Sequence, residues 1–147
     1  MIKAIIFDLG NVIVKVDKEA QYRRFAAKSG KSIGFIINYF EKSAVRKNFE
    51  RGKATPQDFY NSIKNDLNLK MSFAEFKKNW CGIFTLDRNM EKLILKLKNK
   101  FMLVLLSNTD QLHFEYIKNK FDIINSFDYF ILSYRIGLRK PNPMIFL

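Results

Sequence analysis

The sequence contains little cysteine, proline, histidine or negative charge. Cys81 is the only cysteine among 147 residues, so no disulfide can form within the chain, and a reducing compartment is the expected setting. No apolar stretch approaches the ~18 residues that a membrane-spanning helix needs, which excludes that class of protein. Hydrophobic residues make up 48% and aromatic residues 15%, a composition that excludes extended disorder. One globular domain, or a core with a small insert, is therefore expected.

Acidic residues are also scarce, with 14 against 26 basic ones and a formal net charge of +12. Such a balance can indicate binding to nucleic acid or anionic lipid. However, 19 of the basic residues are lysines, and lysine, asparagine, isoleucine and phenylalanine, all abundant here, share AT-rich codons. The basic residues are also spread along the whole chain. We therefore expect no nucleic-acid partner and keep a basic nucleic-acid binder as an alternative, whose affinity should fall steeply with salt.

The first residues predict a strand and not a leader peptide. One lysine, Lys3, precedes a short apolar run that ends at Asp8, which is a poor signal-peptide pattern. Together with the single cysteine, this predicts a cytoplasmic protein without a membrane partner.

Strand-like and helix-like segments alternate at the two ends of the sequence. Short apolar runs at Lys3–Phe7, Val12–Val16, Phe101–Leu106 and Tyr129–Leu132 are typical of β-strands. Amphipathic patterns that start at Asp87 and at about Asp110 lie between the later runs. This alternation predicts an α/β protein with a Rossmann-like parallel sheet as its core.

The middle of the sequence, from about residue 17 to 85, reads as helix alone. Asp17 suits a helix N-cap, Thr55 and Pro56 suit the N-cap and first position of another helix, and Ser72 with Glu75 forms a capping box. We therefore predict two domains: a core formed by residues 1–16 and 87–147, and an all-helical cap inserted at 17–86.

Four polar residues are expected to meet at one edge of the sheet. Asp8 follows the first strand, Ser107 and Asn108 follow a later one, and ligands of open parallel sheets bind at the carboxyl ends of strands. A carboxylate there can attack phosphorus or hold Mg²⁺. Hydroxyl and amide groups before a helix can bind phosphate oxygens, and Lys140 can neutralise the charge of a transferring phosphoryl group.

Three short motifs carry a resemblance to a known family. Phe7-Asp8-Leu9-Gly10-Asn11-Val12 resembles motif I of the haloacid dehalogenase-like (HAD) hydrolases. Leu105-Leu106-Ser107-Asn108-Thr109 is similar to their motif II, and Arg139-Lys140-Pro141 to motif III of the subfamily with a helical cap between motifs I and II. The residues of the three motifs most resemble those of sugar-phosphate phosphatases of the α-D-glucose-1-phosphatase type. The resemblance covers essentially the whole chain.

The resemblance implies a role for each site residue. Asp8 would be the nucleophile and a Mg²⁺ ligand, and the Gly10 backbone carbonyl a second ligand. Ser107 and Asn108 would bind the phosphoryl group, and Lys140 would clamp it as part of the catalytic machinery. The implied function is Mg²⁺-dependent hydrolysis of a small phosphorylated metabolite, with a sugar phosphate as the candidate, through an aspartyl-phosphate.

The sequence departs from the family pattern in two places. Gly10 stands where most family phosphatases carry an aspartate that serves as general acid and base. The acidic pair of motif IV would lie beyond Leu147, so we expect a chain truncated at its C-terminus, with an incomplete core. Because the motif IV strand of the family pairs with the first strand, an exposed sheet edge and self-association through it are expected.

Alternative functions follow from these departures. The chain could be a catalytically impaired fragment that serves only as a binding or interaction domain. It could also belong to the dehalogenase branch of the family, which needs no metal. His113 and Cys81 are expected to be packing residues, and Asp17 a helix cap.

Overall fold

The computed structural model describes residues 1–146 and has two layers of organisation, a parallel sheet and a helical segment. Leu147, the end of the predicted core segment 87–147, lies outside the described residues. The strands are β1 (Ala4–Phe7), β2 (Val14–Val16), β3 (Phe84–Leu86), β4 (Met102–Ser107) and β5 (Tyr129–Leu132). The helices are α1 (Lys18–Ser29), α2 (Ile33–Lys42), α3 (Ala44–Phe49), α4 (Pro56–Leu67), α5 (Phe73–Cys81), α6 (Arg88–Leu97), α7 (Gln111–Lys120) and α8 (Ser133–Ile136). Short 3₁₀ turns cover Asp122–Ser126 and Pro143–Phe146.

Within the described residues, β1, β4 and β5 form a parallel sheet in the order β1-β4-β5. Phe7 of β1 is in register with Leu105 of β4, and Ser107 with Leu132 of β5. The predicted parallel α/β core is thereby confirmed. The last residue of β4 is Ser107, one residue beyond the predicted end of that strand.

The two faces of this sheet differ in burial. Leu103 and Leu105 are fully buried and pack in one cluster with residues of α6 and α7, including Ile94 and Phe114. Because side chains alternate along a strand, Ile6 lies on the opposite face, where 58% of it is exposed. In the described part of the chain, helices cover the face that carries Leu103 and Leu105. On the other face Val104 and Leu106 are buried, while Ile6 remains exposed.

The segment 17–86 is helical except at its end. Phe84–Leu86 form β3, which pairs antiparallel with β2, so the prediction of helix alone up to residue 86 is wrong there. A three-residue strand is too short to show periodicity, and pairing with β2 decides its conformation. β2 is also shorter than the predicted strand at 12–16, because Asn11 has a positive φ of 57° and the chain turns before Val14.

Capping residues begin the helices where the sequence predicts. Thr55 and Asp58 form a reciprocal capping box at α4, and Ser72 and Glu75 form one at α5. Asp17 caps α1 by accepting a hydrogen bond from the Ala20 N–H at 3.1 Å.

An aromatic core holds the five helices α1 to α5 together. Phe25, Phe40, Phe59, Phe76 and Trp80 are almost fully buried, and their rings contact one another at centroid distances of 4.9 to 6.4 Å. Leu112 of α7 packs into the same cluster. The helical segment therefore has its own hydrophobic core, which touches the sheet's core at α7. No helix within residues 1–146 is long and apolar enough to cross a membrane.

Candidate active site

Asp8 and Lys140 form an ion pair at the carboxyl end of β1. Lys140 Nζ lies 2.9 Å from Asp8 Oδ2 and donates a hydrogen bond to the Leu106 carbonyl at 3.1 Å. The Leu9 N–H donates to Asp8 Oδ1 at 2.7 Å and orients the carboxylate. An ammonium group has three donors, so these two contacts leave one for a ligand. The structure therefore brings together two residues that are 132 positions apart in sequence.

Ser107 and Gly10 line one cavity beside this pair. Because β1 and β4 are adjacent and parallel, the loops that follow Phe7 and Ser107 leave the sheet at the same edge. Ser107 is buried at the end of β4. The structure thus brings Asp8, Ser107, Asn108 and Lys140 together at this edge, as predicted, and Gly10 lies beside them.

The side chain of Asn108 turns toward Lys140. Its Nδ2 donates to the Lys140 carbonyl at 3.0 Å, and the Lys140 N–H donates to its Oδ1 at 2.8 Å. Both polar atoms of the Asn108 side-chain amide therefore bind the backbone of Lys140. A ligand at this position is left with the backbone N–H of Asn108.

Ser133 fixes Thr109, the residue after Asn108, and none of the three motifs indicated this role. The Thr109 N–H donates to Ser133 Oγ at 3.0 Å, and Ser133 Oγ donates back to the Thr109 carbonyl at 2.9 Å. Ser133 is fully buried at the end of β5. A serine hydroxyl directly after the predicted strand Tyr129–Leu132 is the signal that could have found it.

The buried carboxylate of Asp110 links the loop after β4 to the helical segment. Asp110, 1% exposed, accepts a hydrogen bond from Trp80 Nε1 at 3.2 Å, and its Oδ2 lies 2.9 Å from His113 Nδ1. The His113 ring stacks on Trp80 at a centroid distance of 4.8 Å, with its Nε2 2.9 Å from the Trp80 carbonyl. His113 therefore packs against Trp80 and Asp110, and it also lines the cavity beside Ser107.

The cavity next to Ser107 has a volume of about 170 Å³. Its walls include aromatic side chains of both layers, among them Phe40, Trp80 and Phe84. Polar groups of the helical segment also line it, among them Lys18 and Glu50. Partial burial, with the positive charge of Arg46 as a second cause, lowers the pKa of Lys18. The space suits a small ligand that combines polar groups with a negative charge.

Glu50 is a second buried carboxylate near the site. Arg46 Nε donates a hydrogen bond to its Oε1 at 2.9 Å. Arg139 Nε lies 2.7 Å from its Oε2, an ion pair without hydrogen-bond alignment. Arg139 immediately precedes Lys140, so this contact joins the helical segment to the site.

Cys81 packs behind the site. Burial, with the charge of Asp110 as a second cause, raises the pKa of its thiol to about 12. Its Sγ donates to the Leu112 carbonyl at 3.5 Å. The thiol is therefore protonated and inert at neutral pH, as expected of a packing cysteine.

Three comparisons with known proteins agree on the family. The family model described as haloacid dehalogenase-like hydrolase matches residues 2–147. The chain is 27% identical to a D-ribitol-5-phosphate phosphatase of Bacteroides thetaiotaomicron, over 99% of this chain and 74% of that protein. It is 30% identical to a sesquiterpene phosphatase of Aspergillus oryzae, over 95% of this chain and 68% of that protein.

A solved structure gives the same result. A HAD family enzyme from Bacteroides thetaiotaomicron, in complex with magnesium and inorganic phosphate, superposes with a TM-score of 0.88 at 27% identity. The match covers 99% of this chain and 76% of that one. Sheet, site and comparisons together define a hydrolase with a parallel α/β fold, and the chain belongs to the haloacid dehalogenase-like hydrolase family. The fold and the family inferred from the three motifs are thereby confirmed.

Proposed function

We propose that the chain is a magnesium-dependent phosphomonoester hydrolase that acts on a small polar metabolite, with a sugar or sugar-alcohol phosphate as the candidate. The observation that carries this proposal is the ion pair between Asp8 and Lys140, at the same sheet edge as a small cavity lined by Gly10, Ser107 and Asn108. Two relatives are named as phosphatases, which supports the reaction type.

The size of the cavity distinguishes between the substrates of these two relatives. A volume of about 170 Å³ is well below the ~300–1,000 Å³ of pockets for drug-sized ligands. A sugar alcohol phosphate suits this space and the polar groups of Lys18 and Gln21 better than a long isoprenoid chain does. This favours the substrate class of the bacterial relative.

The chain's own residues supply most of the proposed chemistry. A carboxylate oxygen of Asp8 attacks phosphorus, and the bond from phosphorus to the leaving oxygen breaks as the new bond forms. The leaving oxygen takes its proton from water, since Gly10 offers no acid. Water then attacks the aspartyl-phosphate, which releases inorganic phosphate and regenerates the carboxylate. Lys140, the Ser107 hydroxyl and the Asn108 N–H hold the phosphoryl oxygens.

A magnesium ion fits the donor atoms of this site. Asp8 supplies a carboxylate and Gly10 a backbone carbonyl, while no group of three His, Cys, Asp or Glu side chains gathers anywhere in residues 1–146. Magnesium commonly keeps several waters and uses one or two carboxylates plus substrate phosphate, so this small donor set fits a weakly held ion. When bound, the ion neutralises charge on the phosphoryl group.

In this proposal, residues 17–86 act as a cap over a core formed by residues 1–16 and 87–147. The separate aromatic core of α1 to α5 supports such a division, as does the position of the cavity between the two layers. A cap of this kind sets substrate choice and excludes water.

A single buried thiol suits a reducing compartment. We therefore propose the cytoplasm as the location of the protein.

Self-association through β1 is a further part of the proposal. Within the described residues β1 pairs with β4 alone; Ile6 of β1 and Ile2, two residues before the strand, are exposed. Unpaired strand edges of this kind invite pairing with a second copy. Light scattering across a range of concentrations tests this, with Ile6→Lys as the variant that should shift the chain toward monomer. A wild-type chain that is monomeric at every concentration contradicts the proposal.

Hydrolysis of an aryl phosphate by the purified chain tests the proposed reaction. We expect turnover with Mg²⁺, none with EDTA, and a fall of at least about 10³-fold in Asp8→Asn. Asp122→Asn, an exposed aspartate away from the site, is the matched control and should keep full activity. A folded wild-type chain without turnover would favour the alternative of a binding domain without chemistry.

A further inference from the structure

The end of α3 touches the sheet layer at two neighbouring points. Glu50 contacts Arg139, as described above. Gly52 has a positive φ of 68°, and a Cβ added there would lie 2.1 Å from the carbonyl oxygen of Tyr134. Only glycine permits so close an approach of the two backbones. The contact between residues 50–52 and the sheet layer is therefore built into the backbone as well as into charges.

Glu50 lies between two arginines and forms an ion pair with each. Its side chain is 8% exposed, and a buried carboxylate requires paired positive groups. Arg46 belongs to the same helix region, whereas Arg139 lies on the loop that carries Lys140. Glu50 therefore fixes the position of the Arg139 side chain relative to α3.

The position of Arg139 bears directly on Lys140. Neighbouring Cα atoms are a fixed 3.8 Å apart, so a shift of one residue displaces the next. Asn108 binds the Lys140 backbone from the core side, and Glu50 binds Arg139 from the helical side. The two-residue segment is thus held from both layers at once.

We propose that Glu50 is a positioning residue for Lys140. It acts through Arg139, and it couples the seating of the helical segment on the sheet to the placement of the Lys140 ammonium beside Asp8. The catalytic consequence rests on the proposed phosphatase function. The structural consequence, an ordered Arg139–Lys140 segment, does not.

A direct contact of Glu50 with substrate is the competing explanation, because Glu50 also lines the cavity. The two explanations differ in their consequences for Arg139. If Glu50 acts through Arg139, loss of either charge has the same effect, and loss of both has no additional effect. If Glu50 contacts substrate, its loss raises KM, and the loss of Arg139 does not reproduce it.

The kinetic experiment compares kcat and KM for an aryl phosphate in Glu50→Gln, Arg139→Gln and the double variant. We expect each single variant to lower kcat about tenfold with KM within about twofold, and the double variant to fall no further. Arg139→Lys should keep most of kcat, since the contact is an ion pair without hydrogen-bond alignment. Glu19→Gln is the control, because Glu19 forms an exposed ion pair with Arg23 at the same four-residue spacing.

Three results overturn the proposal: additive losses in the double variant, a rise in KM with unchanged kcat in Glu50→Gln, or full activity in Arg139→Gln. If Glu50→Gln does not fold, Arg139→Gln and Arg139→Lys decide alone. Loss of kcat in the first and its retention in the second support the proposal, and any other pattern contradicts it.

Hydrogen exchange separates this proposal from the proposed function. The Lys140 amide donates to Asn108 and should exchange at least about fivefold faster in Glu50→Gln and in Arg139→Gln. The Leu103 amide, which donates to Asp128, is the internal reference and should not change. If the wild-type chain lacks turnover, the phosphatase function fails. Faster exchange at Lys140 then still supports the coupling, and unchanged exchange overturns it.

Discussion

Asn108 binds Lys140 through both of its amide atoms and both backbone polar groups of the lysine. This closed pair of hydrogen bonds fixes the lysine backbone, while its side chain reaches Asp8 and Leu106. The loop after β4 and the segment around Lys140 therefore behave as one unit. Motif II suggests Asn108 as a phosphate ligand. In the structure the side chain of Asn108 instead holds Lys140.

Asn108→Ala should lower kcat for an aryl phosphate by about 10- to 100-fold, because the Lys140 backbone loses two hydrogen bonds and small displacements of charged groups are costly in catalysis. Steady-state kinetics measures this. Asn99→Ala, at an exposed position in a loop, is the control. Unchanged kcat in a folded Asn108→Ala protein would show that these two hydrogen bonds are not needed for catalysis.

Gly10→Asp should accelerate hydrolysis of alkyl phosphates at least about tenfold and that of aryl phosphates much less. A Cβ at Gly10 would meet only ordinary contact, 3.7 Å from a Val16 methyl carbon, so the backbone there accepts a side chain. It would give the poor leaving group of an alkyl ester a proton donor. Rates for matched alkyl and aryl esters test this. Gly10→Asn has the same size without the acid, and an equal gain in that variant would contradict the explanation.

Asp110→Ala should destabilise the protein by about 3 kcal/mol, against about 1 kcal/mol for Asp87→Ala. Both residues cap helices with their side chains, but Asp110 is also the buried acceptor for Trp80 and contacts His113. The difference between the two variants measures the link from the site loop to the helical segment. Urea denaturation supplies both values, and equal losses would show that the buried contacts add nothing.

Cys81 should make the protein less stable in alkali. Its folded pKa is raised to about 12 from an ordinary value of 9.0, so between these values the unfolded chain loses the thiol proton and the folded chain keeps it. The free energy of unfolding should therefore fall as pH rises above about 9. Comparison of wild type with Cys81→Ala isolates this contribution, because other titrating groups are common to both. We expect a relative loss of about 1–2 kcal/mol between pH 8 and 10.5 in the wild type.

The local features of this fold were predictable from sequence because their causes are local. Thr55 with Pro56 marks one helix start and Ser72 with Glu75 another, each within four residues, and the structure contains both. The short apolar strands predict a parallel core, and parallel neighbours place Asp8 and Ser107 at one edge.

The contacts that join distant segments were not predictable in the same way. Asn108 and Lys140 are 32 residues apart, and an asparagine before a helix is equally suited to a cap or a ligand. Glu50 and Arg139 lie in segments of many charged residues, where no spacing marks one pair over another. Such partners are chosen by packing of the two layers, and no periodic pattern in the sequence records that choice.

The short ribbon of β2 and β3 has a consequence for how the molecule can change in evolution and design. The chain leaves the sheet layer at Val16 and returns at Phe84, and these two residues are paired. An excursion of almost seventy residues therefore begins and ends at one place, and closing so long a loop costs little more than closing a shorter one. A different helical segment, grafted between the same two strands, should leave β1 and β4 undisturbed if it keeps the contacts of Trp80 with Asp110 and of Glu50 with Arg139. The ribbon is thus a natural splice point for chimeras that exchange this segment.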